Sequence, residues 1–190
     1  MPVSDTKSAL LNSAESAARR FGFDGFSYAD LAEDVGIRKA SIHHHFPSKA
    51  KLSIALMERY HQTFKETCAD IDATFATGGG KLTALVERYR VGSDNGNQLC
   101  LCTALSACPD SLAPDVVKQI IGFRGMVTQW IANAFEKGRA DGSISGISNP
   151  TLEASSALSL LEGAQLAARV VGDPAAFDAA ITLLTMRMSN

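Results

Sequence analysis

"FSYADLAEDVGIRKASIHHHFPSKAKL", residues 26–52, contains two short apolar-patterned segments hinged on one glycine, and its spacing decides the fold. Ser27 opens the first segment as an N-cap, with the short acid Asp30 where Glu or Gln would complete a capping box. Leu31, Ala32 and Val35 face inward, so this segment reads as a short helix through Asp34 that Gly36 breaks. A second short helix runs from about Lys39 to Phe46, and Ile37 with Ile42 packs it across the first. Ala29 and Ala32 are small and let the two helices approach closely. Such a pair, followed by a basic residue, makes a helix-turn-helix. Its second helix presents Lys39, Ala40, Ser41, His43 and His44 outward, where a major groove would receive them.

Charge agrees with that reading. Residues 35–57 hold no acid but carry Arg38, Lys39, Lys49 and Lys51. The formal charge of −2 hides this window: residues 1–60 balance at +1 and residues 61–190 at −3. A short basic stretch beside an acidic remainder points to one polyanion-facing surface. The histidine triplet is not a metal site on this reading. Successive helical residues point about 100° apart, so His43, His44 and His45 cannot converge on one ion. His43 and His44 are expected to face DNA, and His45 to pack back on its own domain.

Outside this segment the chain is helical throughout. Apolar spacing predicts helices over 6–21, 49–74, 81–91, 99–107, 114–138, 150–171 and 174–188, with "TGGG" (77–80) as a loop. Pro114, Pro150 and Pro174 suit first helical turns, where a missing N–H goes unnoticed. The expected fold class is all-α, with about nine helices. With 46% hydrophobic residues, the chain has enough apolar material for a core. No secretory leader or membrane-length apolar run is evident, so a cytoplasmic location, no membrane partner and reduced cysteines are expected. No catalytic triad, metal motif or phosphate-binding loop stands out, and all four histidines lie at or before His61, away from Cys100. The expectation is therefore a protein that is not an enzyme and carries neither cofactor nor metal.

The quoted stretch resembles the DNA-binding segment of the TetR family of transcriptional repressors. The resemblance rests on Phe26, Ser27, Leu31, Ala32, Gly36, Ile37, Ala40, Ser41, Ile42, His45, Phe46, Ser48 and Lys49 at fixed spacing. Three positions depart from the pattern. Arg38 stands where a small capping residue is usual, His43 where a phosphate-contacting tyrosine is usual, and His44 where a second aromatic is usual. The resemblance implies a three-helix DNA-binding domain over 1–48 and an effector-binding and dimerisation domain over 49–190. It implies phosphate contacts from Lys49, Ser27 and Tyr28, base reading by Lys39 and Ser41, and Arg38, Ala40, His43 and His44 in the same DNA surface. The implied partners are double-stranded DNA with a near-palindromic operator, a small-molecule effector and a second copy of the chain. Helices 150–171 and 174–188, rich in apolar and small residues, are the expected dimer surface. A repressor released by its effector or by thiol modification is the main expectation. An activator, or a helical ligand-binding protein that ignores DNA, is the alternative.

"QLCLCTALSACPDSLAPDVV" (98–117) and "LEGAQLAAR" (161–169) resemble a TetR subgroup whose sixth helix begins with a cysteine, some members of which respond to electrophiles or oxidants. That resemblance makes Cys100 the candidate reactive thiol, against the plain alternative of a buried small residue. Cys100 and Cys102 lie about 200° apart on a helix, and Cys102 and Cys108 about 240°, so neither pair closes a disulfide without unfolding. Tyr89, Leu105, Phe123, Met126, Trp130, Leu161, Glu162 and Gln165 are further effector-pocket candidates, each weighed against a role in the core. Glu162, an acid in an apolar helix, needs a partner wherever it is buried.

Overall fold

The structure is a computed structural model that describes residues 3–107 and 109–188, with side chains from Thr6 onward. The angle expected between Cys102 and Cys108 thus lies outside the described residues. Nine α-helices are present among them: α1 (Val3–Phe21), α2 (Tyr28–Val35), α3 (Lys39–His45), α4 (Lys49–Thr74), α5 (Gly78–Gly92), α6 (Leu101–Ser106), α7 (Pro114–Asp141), α8 (Pro150–Val171) and α9 (Ala175–Thr185). A single 3-10 turn, Pro109–Ser111, precedes α7. No helix among the described residues is long and apolar enough to cross a membrane.

Two compact units emerge, one from residues 1–62 and 101–123, the other from 63–100 and 124–190. The division falls within α4 and α7, so sequence neighbours on one helix belong to different units. In the first unit, α1 packs on α2 and α6, and α2 on α3. Leu10, Ala14 and Ala18 on α1, Leu31 on α2, Ile42 on α3 and Leu52 and Leu56 on α4 are almost wholly buried. In the second unit, α8 packs along α9 and against α5. Its core includes Leu85, Val127, Ile131, Phe135, Leu158, Leu161 and Phe177.

Where the structure differs from the sequence expectation, a long-range partner is the reason. The glycine triplet is not a loop. Gly78, Gly79 and Gly80 form the buried first turn of α5, and all three N–H groups that such a turn leaves without helical partners are satisfied. Gly78 N–H donates to Asp141 Oδ2 at 2.9 Å, Gly79 to Ser143 Oγ at 2.8 Å and Gly80 to the N-cap Thr77 Oγ1 at 3.1 Å. Ser143 also donates to Asp141 Oδ1, and these bonds, that of Ser143 Oγ foremost, hold the Asp141 carboxyl below its ordinary range. The glycine at 78 is a packing requirement. A Cβ there would overlap Gly138 N, Gly138 Cα and Ala134 O, all backbone of α7.

α6 begins at Leu101 rather than Leu99, and the N–H of Cys100 just before it donates to Gln165 Oε1 at 2.7 Å. α9 stops at Thr185 because the next residues pair with the loop after α7. Met188 forms an isolated antiparallel bridge with Ile144, and Arg187 donates to Ser145 O, Gly146 O and the Glu153 carboxylate.

Candidate DNA-binding site

The helix-turn-helix forms as its residues suggest. Ser27 Oγ accepts from the N–H groups of Ala29 and Asp30, and Asp30 Oδ2 accepts from Ser27 N–H at 2.7 Å, so the short acid does close the capping box. The bond from the Ser27 backbone, ahead of that from its side chain, draws the Asp30 carboxyl below its usual range. Gly36 ends α2 with φ 71° and ψ 35°, left-handed backbone that glycine adopts without strain. Ile37 N–H then returns to Ala32 O at 2.9 Å. Arg38 is the N-cap of α3 and makes no side-chain capping bond, so its guanidinium is not committed to the helix end.

Ile42, fully buried, anchors α3. Arg38, Lys39, Ala40, His43 and His44 are exposed, while Ser41 and His45 are half-buried. His44 and His45 meet edge to face at 5.6 Å between ring centroids. Among the described residues no group of three or more His, Cys, Asp or Glu could hold a metal ion.

Beside the exposed face of α3 lies a cleft of about 330 Å³ lined by Phe26, Ser27, Tyr28, Lys39, His43, Ser48 and Lys49. Two bonds brace its walls. Tyr28 is buried and its hydroxyl donates to Phe46 O at 2.9 Å, tying the start of α2 to the end of α3. Burial pushes the Tyr28 phenol up, which keeps it protonated and able to donate. Lys49 donates to Phe26 O at 2.6 Å and lies over the Phe26 and Phe23 rings, 4.2 and 4.7 Å from their centroids. Its ammonium is lowered from the ordinary lysine value by desolvation, which Asp24 and Asp30 oppose. The cleft thus gathers two lysines, a histidine and two serine hydroxyls at the first turn of the 26-residue α4, whose dipole adds positive potential. Such an arrangement suits an oxyanion with apolar flanks. Lys7 on α1, 6.0 Å from the Phe46 ring, extends the cationic surface. Its place was not legible in a sequence where it stands alone among polar residues.

The residue model of bacterial regulatory proteins of the tetR family matches residues 10–56, covering α1 through the start of α4. A TetR-family regulator from Agrobacterium tumefaciens superposes with a TM-score of 0.92 at 28% identity, covering 98% of this chain and 99% of that one. The chain belongs to the TetR family. A second TetR regulator, from Legionella pneumophila, superposes at 0.87 with 25% identity over the whole of both chains. The HTH-type transcriptional repressor NemR of Escherichia coli K12 is 25% identical over 176 residues, 87% of this chain and 85% of its own. A TetR-family member is a transcriptional regulator with an N-terminal helix-turn-helix and a helical C-terminal part, and this chain is one.

The expected effector residues fall into separate groups. Gln165, buried, joins two of them: its Nε2 donates to Tyr89 O at 2.8 Å while its Oε1 holds Cys100 N–H. Cys100 is itself buried at 2% exposure. Glu162 has the partner its burial demands, because Arg124 Nη1 reaches both carboxylate oxygens at 2.6 Å. Met126 and Trp130 line a cleft of about 360 Å³ with Lys65, Cys68, Ala69, Asp72, Gln129 and Asn133. Trp130 Nε1 donates to Asp72 Oδ2 at 3.0 Å, and Lys81 pairs with Asp72 Oδ1, so the indole forms a fixed wall. Leu105 and Phe123 belong to the other compact unit, where both are fully buried and Phe123 packs on Tyr60 and His61.

Proposed function

We propose that this regulator is a homodimeric, cytoplasmic repressor that binds a near-palindromic operator through α3 and leaves it when an effector occupies the C-terminal part. The observation that carries the reading is the exposed cationic face of α3, braced from below by Ile42 and flanked by the cleft at Lys49. Lys39 and Ser41 are the base readers. Lys49, with Ser27 and Tyr28 setting the cleft wall, holds a backbone phosphate, and Arg38, Ala40, His43 and His44 complete the surface. Functionally the chain divides into DNA binding over 1–48 and effector binding with dimerisation over 49–190.

Leu152, Leu166 and Val170 on α8 recur near the helical repeat and stand exposed, as do Val171, Leu183 on α9 and Met186 just after it. That much apolar surface supports pairing with a second copy, and two-fold pairing calls for a two-fold operator. For the effector we favour the cleft at Met126 and Trp130, with Tyr89, Cys100, Leu105, Phe123, Glu162 and Gln165 as the wider candidate set. No catalytic chemistry is assigned to any of them.

Fluorescence anisotropy tests the reading, using duplex DNA from upstream of the protein's own gene against random duplex across a salt series. Preferential binding with a log–log salt slope of several units is the expected result. Lys39→Ala should erode the preference, and Lys49→Ala should weaken both DNAs alike. Indifference to every upstream fragment, at every salt concentration, would refute self-regulation by repression.

A further inference from the structure

We propose that His43 makes DNA binding by this chain proton-linked: with Lys39 and Lys49 it forms a three-cation cup for one DNA phosphate, and its imidazole is charged when the cup is filled. This rests on the DNA-binding reading above but goes beyond it, because it adds a second ligand, the proton, to the same site.

The geometry is specific to one of the three adjacent histidines. His43 alone lines the cleft with Lys39 and Lys49. Lys39 precedes it by four residues, one helical turn, so both side chains stand on the same face of α3. From α2, the buried Tyr28 ring meets the His43 ring edge-on, 5.0 Å between centroids at 61°, which fixes the plane of the imidazole. Tyr28 is held in turn by its bond to Phe46 O. His44 points elsewhere, against His45, and His45 is half-buried.

The charges around the cup decide the sign. Lys39 and Lys49 face it from α3 and α4, and His44 adjoins on α3. The neutral Tyr28 and the hydroxyls of Ser27 and Ser48 complete the wall. The acids nearby are committed: Asp30 accepts from Ser27 N–H, and Asp24 and Asp30 act on Lys49. No carboxylate lines the cleft. The anion that stabilises an imidazolium there therefore arrives with the DNA.

A histidine changes charge between about pH 5 and 8, within the range a cell can reach. A phosphate in the cup favours the imidazolium over the imidazole, so the complex binds a proton more tightly than the free protein does. Affinity for DNA then rises as pH falls through that range and is lost as pH rises. Because phosphate contacts are independent of sequence, random DNA shows the effect as well as operator DNA.

Anisotropy titrations with a short random-sequence duplex at fixed ionic strength, near pH 8 and near pH 5.5, test this in the full chain. Wild type is expected to bind about tenfold or more tightly at the lower pH, with a salt slope steeper by about 0.9 as the added cation displaces one more counterion. His43→Gln and His43→Tyr, which keep a neutral donor, should lose most of the pH dependence, read as the ratio of each variant's own affinities at the two pH values. His44→Gln should keep it. His43 is exposed, and far-ultraviolet circular dichroism at both pH values verifies that each variant is folded. PH dependence as steep in His43→Gln as in wild type would overturn the inference, as would a flat wild-type profile. Absence of DNA binding at every pH would instead overturn the DNA-binding reading itself.

Discussion

Replacing Gly78 by alanine adds one methyl group at the point where α5 begins against α7. That methyl would lie on Gly138 N, Gly138 Cα and Ala134 O, backbone atoms of a helix that no rotamer change can move aside. Overpacking of this kind costs about 1–3 kcal/mol. Relief by backing α5 away stretches the bonds from Gly78 to Asp141 and from Gly79 to Ser143, each contributing about 1 kcal/mol. Whether the clash is kept or relieved, the expected loss is about 1–3 kcal/mol, read as a fall in the urea midpoint with helical circular dichroism as the signal. Gly125→Ala is the internal control. Its position in α7 has nothing within 4 Å of a new Cβ, so helix propensity alone should stabilise by up to about 1 kcal/mol. The same chemical change should thus act with opposite sign at two glycines. A Gly78→Ala variant within about 0.5 kcal/mol of wild type would refute the close-approach argument, since surface substitutions away from such features stay within that range.

Three further outcomes follow from the geometry. Arg124→Leu should destabilise more than Glu162→Leu, because Glu162 is left charged at 10% side-chain exposure whereas Arg124, at 37%, retains access to water; chemical unfolding of both variants and their double mutant measures the difference and its rescue. The Glu153 carboxyl is held below the usual range by hydrogen bonds from Arg187. Its contribution is present above the ordinary glutamate pKa of about 4.3 and is lost as pH falls through the lower folded value, so the stability difference between wild type and Glu153→Gln should shrink in acid unfolding series. Burial pushes the Cys68 thiol up to about 12, so iodoacetamide near neutral pH should label it only after urea unfolding; rapid labelling of Cys68 in the folded chain, read by mass spectrometry, would contradict that.

Local signals were legible in the amino-acid order. Ser27 caps α2 and Pro150 opens α8 as their types suggest. Gly36 reads as the hinge because only a left-handed residue turns α2 into α3 so tightly. The glycine triplet misled because its flexibility is visible in sequence, whereas the reason for its smallness lies on α7, with Asp141 63 residues away. Glu162 announced the need for a partner, but nothing in the spacing of residues 38 apart singles out Arg124. Lys49 was legible as a cation before a helix. Its rest on Phe26 O and two phenylalanine rings was not, since that depends on where the turn after α1 carries Phe23 and Phe26.

That resting place of Lys49 has a consequence for the entropy of association. A solvent-exposed lysine has roughly 2 kcal/mol of rotamer freedom to lose when it is immobilised by a ligand. Here the ammonium already rests on two aromatic rings, and one of its three protons is engaged by a carbonyl. Two protons remain to meet an incoming phosphate, which would find the charge in position and its ordering completed during folding. Binding at Lys49 should therefore carry a smaller entropic penalty than binding at Lys39, whose exposed side chain must still be ordered when DNA arrives.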